Sequence, residues 1–255
     1  MTMSDAEKQD VLQKASAFFR NEVIKKHVKN TKKLSNEKRF EHNFEFNPFT
    51  LAYIAKFSFG DTSPESLAKA LVYPRVMGTS IATSFGSAIQ RFSSKVLSAY
   101  ASTTAGMDIE YKDSQNQRHI YCQLKAGPQT INKDDVKTIC DHFSAVGRLK
   151  RTNGSTDFNP STDCVVGVLY GTPKQLSANY KRIKDENYRV LIGKEFWTSL
   201  TGDDDFYEDL ITAMVNSDST GITGVIGSTL DQVTQFLAQN PDIIPTPSDD
   251  TEVND

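Results

Sequence analysis

Apolar and polar residues follow two different rhythms along the chain, and each rhythm predicts a different kind of element. Over residues 5–28 apolar side chains recur every three or four positions, which is the spacing of an amphipathic helix. The pairs Asn47-Pro48 and Ser63-Pro64 each place a capping residue before a proline and predict two further helix starts. The predicted helices cover residues 5–28, 49–58, 64–73, 84–98, 132–148, 194–200, 203–216 and 227–238.

Residues 106–125 alternate with a period of two, which predicts a β-hairpin around a polar turn at 112–118. Asp108 and Glu110 share one face of its first strand, with Met107 on the other face. Two further apolar residues, Ile109 and Tyr111, share that other face with Met107. One face of the second strand carries His119, Tyr121, Gln123 and Lys125. An acid and a lysine can therefore converge over one edge of the hairpin.

Two more strands are predicted after the hairpin. Residues 164–170 form a continuous apolar run, which is typical of a buried central strand, and residues 188–192 form a second one. The order of helices, hairpin, helix, two strands and helices indicates an α/β (α+β) fold with a central mixed sheet flanked by helices.

The predicted organisation is a single domain over 1–239, followed by an acidic tail at 240–255. A helical part at about 1–100, a core at about 101–200 and C-terminal helices at about 201–239 would make up the domain. The tail has three prolines and five acids with little to bury, so we expect it to be disordered.

Composition narrows the class of protein. No apolar stretch approaches the roughly 18 residues of a membrane span, and the polar N-terminus has no signal-peptide pattern, so a cytoplasmic protein is expected. The three cysteines form no CxxC pair, which argues against a disulfide framework or a structural zinc site. The four histidines show no HxxxH spacing, and neither a GxSxG elbow nor a phosphate-binding loop occurs.

The net charge of −3 hides a strong segregation of charge. The last basic residue is Lys194, and residues 195–255 contain 13 acids. Residues 1–194 hold 29 basic against 19 acidic residues, a formal +10, and include a basic run at 25–39. Such a distribution suits a polyanionic partner that meets one part of the surface. A solvated helix end explains the run at 25–39 equally well.

The hairpin could support phosphodiester hydrolysis. That reaction needs a positioned water, neutralised phosphate charge and help for the leaving oxygen, and Mg²⁺ held by carboxylates can serve all three needs. A nearby lysine can orient or deprotonate the water. The pattern here is Asp108 followed by Gln123-Leu124-Lys125, in which the Leu124 carbonyl could also coordinate metal. An ordinary surface hairpin with a salt bridge fits the same pattern.

At these residues the chain resembles the PD-(D/E)xK nucleases, and among them the type II restriction endonucleases of the Tde and EcoO types, which read GGNCC-like sites. The resemblance covers about 45–215, and its blocks occur in the family order. The blocks are Asn47-Pro48-Phe49, Tyr73-Pro-Arg-Val-Met-Gly78, Ser84-Phe-Gly86, Gln123-Leu-Lys-Ala-Gly-Pro-Gln-Thr-Ile-Asn132, Val165-Val-Gly-Val-Leu-Tyr-Gly171 and Leu191-Ile-Gly-Lys-Glu-Phe-Trp197.

The resemblance implies Asp108 as the metal-ligating acid and Lys125 as the catalytic lysine. Gln123 stands at the place of the second acid, which is a departure from the usual motif. An amide oxygen can ligate Mg²⁺ but adds no charge. Either Gln123 ligates as a neutral group, or Glu110 or an acid from the preceding helices, such as Glu65, supplies the missing charge.

The resemblance also implies a homodimer that cuts both strands of double-stranded DNA at a palindromic site. Candidates for DNA contact are Arg75, Gln129, Asn132 and Lys133. Two alternatives stay open: a repair or resolvase-like nuclease that reads DNA structure, and a DNA-binding protein on the same scaffold that has lost catalysis.

Overall fold

The computed structural model describes residues 3–89, 91–217 and 222–244, which fall into two compact units. The sheet unit comprises the described residues up to Phe19 together with Ala88–Ser217. The helical unit comprises Arg20–Ser87 together with the described residues from Ile222 onward. Of the predicted acidic tail, residues 245–255 lie outside the described part of the chain, and the prediction of a single domain over 1–239 stays a prediction.

Helices supply most of the described secondary structure. Two π-helical segments, Phe19–Ile24 and Pro74–Ser80, continue neighbouring helices. The α-helices are α1 Asp5–Phe18, α2 Lys25–Leu34, α3 Phe40–Asn43, α4 Pro48–Phe59, α5 Pro64–Tyr73, α6 Ile81–Ile89, α7 Phe92–Val96, α8 Lys133–Thr152, α9 Pro160–Asp163, α10 Ala178–Asp185, α11 Lys194–Thr201, α12 Phe206–Val215 and α13 Ile222–Gln239. Short 3₁₀ turns cover Glu37–Arg39, Ser98–Tyr100, Pro173–Gln175 and Pro241–Ile243. None of the helices described is long and apolar enough to cross a membrane.

The sheet is mixed, as predicted, and its four strands follow chain order. They are β1 Ile109–Lys112, β2 His119–Lys125, β3 Cys164–Val168 and β4 Arg189–Ile192. β1 and β2 form the predicted antiparallel hairpin. β3 pairs in parallel with β2, and β4 pairs in parallel with β3. Parallel neighbours need crossover connections, and α8 and α10 lie within the two crossovers. This is the α+β arrangement that the order of elements indicated.

Both faces of the sheet are covered by helices. On one face α8 and α10 contribute apolar side chains to a buried cluster that includes Tyr121 of β2. This face includes the polar side of the hairpin, so Tyr121 and Gln123 are buried rather than exposed. The cluster comprises Met107, Tyr121, Ile131, Ile139, Phe143, Val146, Cys164, Val166, Val168, Leu176, Tyr180, Ile183, Val190 and Ile192.

Met107 departs from the predicted alternation. The pattern placed it with Ile109 and Tyr111, but it packs in the same cluster as Tyr121. β1 begins only at Ile109, so the strand rule does not apply to the residues before it.

Buried aromatic rings cover the other face. Trp197 of α11 lies edge-on to Phe92 at 6.2 Å and tilted against Phe206 at 5.5 Å. The indole N–H of Trp197 donates to the Leu169 carbonyl at 3.0 Å, so this buried polar group is satisfied. The rings therefore join α7, α11 and α12 to the sheet.

Gly167 of β3 allows this aromatic layer to approach the sheet. A Cβ atom at this position would lie 2.6 Å from the Phe196 ring and 2.9 Å from the Cys122 sulfur. Both neighbours are fully buried, so neither can move aside without disturbing its own packing.

The helical unit has a separate core. α5 packs against α4 on one side and α13 on another, and the rings of Phe40 and Phe236 meet at 4.7 Å. The buried members of this core are Leu34, Phe40, Phe44, Leu51, Ala55, Leu67, Ala68, Leu71, Val72, Val76, Val233, Leu237 and Ile244.

Two helix predictions differ from the structure in an informative way. The single helix predicted at 5–28 is α1, a π-helical segment and the start of α2, because the apolar spacing continues through all three. The sequence reading missed α10, which has only eight residues and buries only Tyr180 and Ile183. Its existence follows from the need to connect parallel strands.

We predict that Gly167→Ala lowers the stability of the protein by about 1–3 kcal/mol, because the added methyl group overpacks a rigid site. Gly227→Ala is the matched control, since no atom lies within 4 Å of its added Cβ. Thermal unfolding followed by circular dichroism compares the two variants. Equal melting temperatures would contradict the packing role given to Gly167.

Candidate active site

Asp108 lies directly before β1 and is fixed to the end of β2. Its main-chain N–H donates to the Cys122 carbonyl at 2.9 Å, and its carboxylate Oδ2 accepts from the Leu124 N–H at 2.7 Å. The side chain is otherwise exposed. The structure therefore holds an exposed carboxylate against the backbone at Leu124.

Lys125 is the last residue of β2 and faces the start of α8. Its Nζ lies 3.8 Å from the Asp135 Oδ1, and both side chains are partly exposed. Asp135 also belongs to the capping box of α8: its Oδ2 accepts from the Asn132 N–H at 2.9 Å, and its own N–H donates to the Asn132 Oδ1 at 2.9 Å. The cap thus fixes the carboxylate that faces Lys125.

Gln123 is buried, and its amide nitrogen has two partners. Nε2 donates to the Gly106 carbonyl and lies 2.6 Å from the Nδ1 of His142 on α8. A carbonyl oxygen can only accept, so the Gly106 contact fixes which end of the amide is nitrogen. The Nδ1 of His142 must then accept as well, which places the proton of a neutral ring on Nε2.

Gly106 makes room for this arrangement. Its φ of +80° lies in the left-handed region, and a Cβ there would stand 2.6 Å from the His142 ring. The hydrogen bond from Gln123 therefore fixes the turn that leads into Asp108. We call Gly106, Gln123 and His142 the amide lock.

The carboxylate of Glu110 has three hydrogen-bond partners of its own. Its carboxylate accepts from the Ser102 hydroxyl at 2.5 Å and the Thr104 hydroxyl at 2.7 Å, and His119 Nε2 lies 2.7 Å away. Partial burial works to raise the pKa of Glu110, but these three hydrogen bonds outweigh it and hold that pKa below its ordinary value. Glu65 pairs with Lys69 at 2.6 Å in the helical unit.

Two buried acids of the sheet have structural partners. Asp163 accepts a two-pronged hydrogen bond from Arg118, and Asp113 accepts from Arg189 at 3.3 Å and from the Ser199 hydroxyl at 3.2 Å. Burial works to raise the pKa of Asp163, but hydrogen bonds from Arg118 and neighbouring donors outweigh burial. The pKa of Asp163 therefore lies below its ordinary value. These acids brace the turn end of the hairpin and are not free to bind a ligand.

A polar cleft of about 710 Å³ also lies toward that turn end, where Glu110, His119 and Tyr121 line it together with Lys150. The Lys150 ammonium stands 4.6 Å above the Tyr121 ring, which suits a cation–π contact. Asp108 and Lys125 do not line this cleft. The cleft and the candidate catalytic residues therefore lie toward opposite ends of β2.

The candidate ligands suit a Mg²⁺ ion that keeps several of its coordinated waters. Among the described residues, no three His, Cys, Asp or Glu side chains gather closely enough to hold a metal by themselves. Mg²⁺ usually keeps several waters and takes only one or two carboxylates together with substrate phosphates. The exposed Asp108 carboxylate can supply one such ligand.

The four candidate DNA-contact residues lie in different surroundings. Gln129 donates its amide to the Gln175 carbonyl at 2.6 Å, and the Asn132 oxygen caps α8, so both amides have structural partners. Lys133 is exposed at the first position of α8. Arg75 is exposed in the π-helical segment of the helical unit.

The sequence reading missed two residues beside the candidate site. These residues are Asp135 and His142, and neither is among the predicted site residues. A signal was available, since positions 135 and 142 are two helical turns apart and share the face of α8 that carries the buried Ile139 and Val146. That face had to meet a strand, but which strand only the fold decides.

A search with protein-family models matched residues 47–219 to the family described as type II restriction endonuclease EcoO109I. The matched segment contains Asp108, Gln123, Lys125, Asp135 and His142. A search of curated proteins gave no match. The family match agrees with the resemblance drawn from the ordered sequence blocks and gives no support to the two alternative functions.

We predict that Gln123→Glu destabilises the fold by about 1–3 kcal/mol near neutral pH, because a carboxylate would face the Gly106 carbonyl and leave it without a donor. Gln129→Glu is the matched control: it makes the same chemical change at an exposed amide that also donates to a carbonyl. Thermal unfolding measures both. If the two variants are destabilised by the same amount, the amide lock has no special role.

Proposed function

Because the chain belongs to the EcoO109I family of type II restriction endonucleases, we propose that it hydrolyses both strands of double-stranded DNA at a short palindromic, GGNCC-like site in a Mg²⁺-dependent reaction. Membership makes the protein a nuclease that acts on DNA. The metal, the site and the residue roles are the proposed part.

The observation that carries the residue roles is the contact between Asp108 and the end of β2. The 2.7 Å hydrogen bond from the Leu124 N–H to the Asp108 carboxylate supports these roles, because Leu124 directly precedes Lys125 on β2. This is the arrangement that hydrolysis of a phosphodiester needs. The family match spans all of it.

We assign the roles as follows. Asp108, the Leu124 carbonyl and the Gln123 oxygen would hold Mg²⁺, which when bound neutralises phosphate charge and lowers the pKa of coordinated water. Lys125 orients the attacking water or takes its proton. Asp135 holds the Lys125 ammonium group near the end of β2, and the amide lock keeps the turn before Asp108 in place.

We predict that Asp108→Ala and Lys125→Ala each reduce cleavage by at least ~10²-fold, since each removes a group that acts on the reacting atoms. Asp108→Ala should still bind the cleavable DNA. Asp134→Ala and Lys137→Ala are controls, because they remove exposed charges of the same kind on α8. Single-turnover digestion of a plasmid, with and without Mg²⁺, provides the measurement. Full activity in Asp108→Ala would overturn the assignment.

The pattern of the plasmid digest tests the reaction class. Discrete bands are expected from a sequence-specific enzyme. A smear or cutting only at branched DNA would instead identify a nuclease that reads structure, and no metal-dependent cutting would identify a DNA-binding protein without catalysis. Gln123→Glu should keep measurable cleavage in this assay, since a carboxylate also ligates Mg²⁺.

We propose further that the enzyme is a homodimer and that α4 provides its contact. Phe49, Tyr53 and Phe57 repeat every four residues on one face of α4 and are 86%, 67% and 77% exposed. The rings of Tyr53 and Phe57 stack at 5.8 Å, and α4 has one charged residue, Lys56. A lone cation among aromatic rings suits a protein surface better than a phosphate backbone.

The area of this aromatic face favours a second copy of the chain. Each aromatic side chain can bury ~150–250 Å², so the three could contribute several hundred Å² toward the ~800 Å² per partner of a standard interface. A two-fold axis through α4 would make the patch complementary to itself, which matches the symmetry of a palindromic site.

We predict that Phe57→Asp converts the dimer to a monomer, because a charge would be buried at the centre of the contact. Val215→Asp is the matched control: it introduces the same charge at a 69% exposed apolar residue of α12. Sedimentation velocity measures the mass of each variant. An unchanged dimer in Phe57→Asp would exclude α4 as the contact.

A further inference from the structure

Three cations from separate segments of the helical unit line one concave pocket. Lys33 comes from the end of α2, Arg39 from the following 3₁₀ turn, and Arg75 from the π-helical segment after α5. The pocket has a volume of about 460 Å³. We call it the basic pocket.

The rest of its lining is suited to an anion. Three asparagines and two threonines supply amide and hydroxyl groups, and the lining includes no acid. The full lining is Asn30, Lys33, Leu34, Asn36, Arg39, Asn43, Arg75, Thr79 and Thr83. None of the three cations forms an ion pair with a carboxylate among the residues that the structure describes. Their charge is therefore left for a ligand.

Local hydrogen bonds hold the wall of the pocket. The Asn43 amide donates to the Lys33 carbonyl at 2.9 Å, which joins α3 to the end of α2. The Asn36 oxygen accepts from the Lys38 N–H at 3.2 Å and caps the 3₁₀ turn that presents Arg39. The buried Leu34 and Phe40 anchor the same segment in the core of the helical unit. The cations are thus presented by a shaped surface and not by a loose tail.

Three lysines elsewhere in the protein differ from the cations of the basic pocket. Lys14, Lys69 and Lys137 each pair with a carboxylate one helical turn away, at 2.6, 2.6 and 2.7 Å. Such pairs cancel their own charge locally and add little attraction for a polyanion. This contrast supplies a control set with the same charge change.

We propose that the basic pocket binds a backbone phosphate of the DNA substrate, and that Arg75 contacts phosphate and not a base. The proposal rests on the proposed function, because it takes DNA as the substrate. Base edges are read by side chains that project into a groove, whereas a concave pocket receives a group that projects into it. The phosphate is the part of a duplex that projects outward and carries the charge.

The test is the salt dependence of DNA binding. Variants Lys33→Gln, Arg39→Gln and Arg75→Gln, singly and together, are compared with Lys14→Gln, Lys69→Gln and Lys137→Gln, which remove the same charge. Fluorescence anisotropy without divalent metal gives the affinity for a fragment that the wild-type enzyme cuts and for a random duplex. All six side chains are partly or fully exposed, and melting temperatures confirm folding.

Removal of a cation that binds phosphate predicts a specific change. The plot of log affinity against log salt should become shallower by up to ~0.9 for each phosphate that a variant no longer neutralises. Both duplexes should bind more weakly by the same factor, while the control set keeps the wild-type slope. Equal slopes in the pocket and control sets would overturn the proposal. Weaker binding of the cut fragment alone in Arg75→Gln would overturn it too, since that is the signature of base reading.

Two further outcomes separate the remaining explanations. If inorganic phosphate raises the melting temperature of the wild type but not of the pocket triple variant, and the DNA slopes are equal, the pocket serves a free phosphorylated molecule and the DNA proposal fails. If the wild-type protein binds no duplex at all, the proposed function itself fails, whatever the pocket variants do.

Discussion

The candidate active site depends on one constraint: β2 is buried on both faces and yet must carry polar groups to its end. A buried amide without partners would cost ~1–3 kcal/mol, and Gln123 avoids this cost by donating to Gly106 and His142. That contact fixes the turn before Asp108, whose carboxylate then meets the Leu124 N–H. The geometry of the candidate catalytic groups therefore follows from the way in which a buried strand satisfies its polar side chain. It also explains why an amide stands where a carboxylate is usual, since the neighbouring Gly106 carbonyl can only accept.

Five acids of the sheet unit divide into two groups according to their partners. Asp113 and Asp163 are buried and held by arginines, and Glu110 is held by two hydroxyls and a histidine, so all three stabilise the far end of the hairpin. Asp108 and Asp135 remain beside Lys125 with exposed or partly exposed oxygens. A single uncompensated carboxylate with solvent access suits Mg²⁺, which keeps much of its water. The departure at Gln123 is therefore compatible with metal-dependent hydrolysis and does not require another carboxylate from the sheet.

The helical unit exposes two surfaces of opposite character. The face of α4 is aromatic and nearly uncharged, whereas the basic pocket is polar and lacks acids. Burying aromatic area favours a protein partner, and unpaired cations in a concave wall favour phosphate. We therefore assign assembly to one surface and substrate holding to the other. In the proposed function, the candidate catalytic residues belong to the sheet unit.

Local patterns in the sequence were sufficient to predict most helices, the hairpin, the buried strand β3 and the mixed sheet, because periodicity and capping act over a few residues. They also led to Asp108 and Lys125 as candidates, a prediction that stays a prediction, whereas the family match agrees with the class of enzyme inferred. α10, the covering of the polar face of β2 by α8, and the partners Asp135 and His142 were not predictable in this way. Each depends on which elements meet after the chain has turned back on itself. The same holds for the basic pocket, whose cations lie up to 42 positions apart along the chain (33 to 75). Sequence by itself determined the types of element and the candidate reactive groups. Tertiary packing decided which groups face one another, because contacts between distant residues are set by the burial of whole faces and not by local preference.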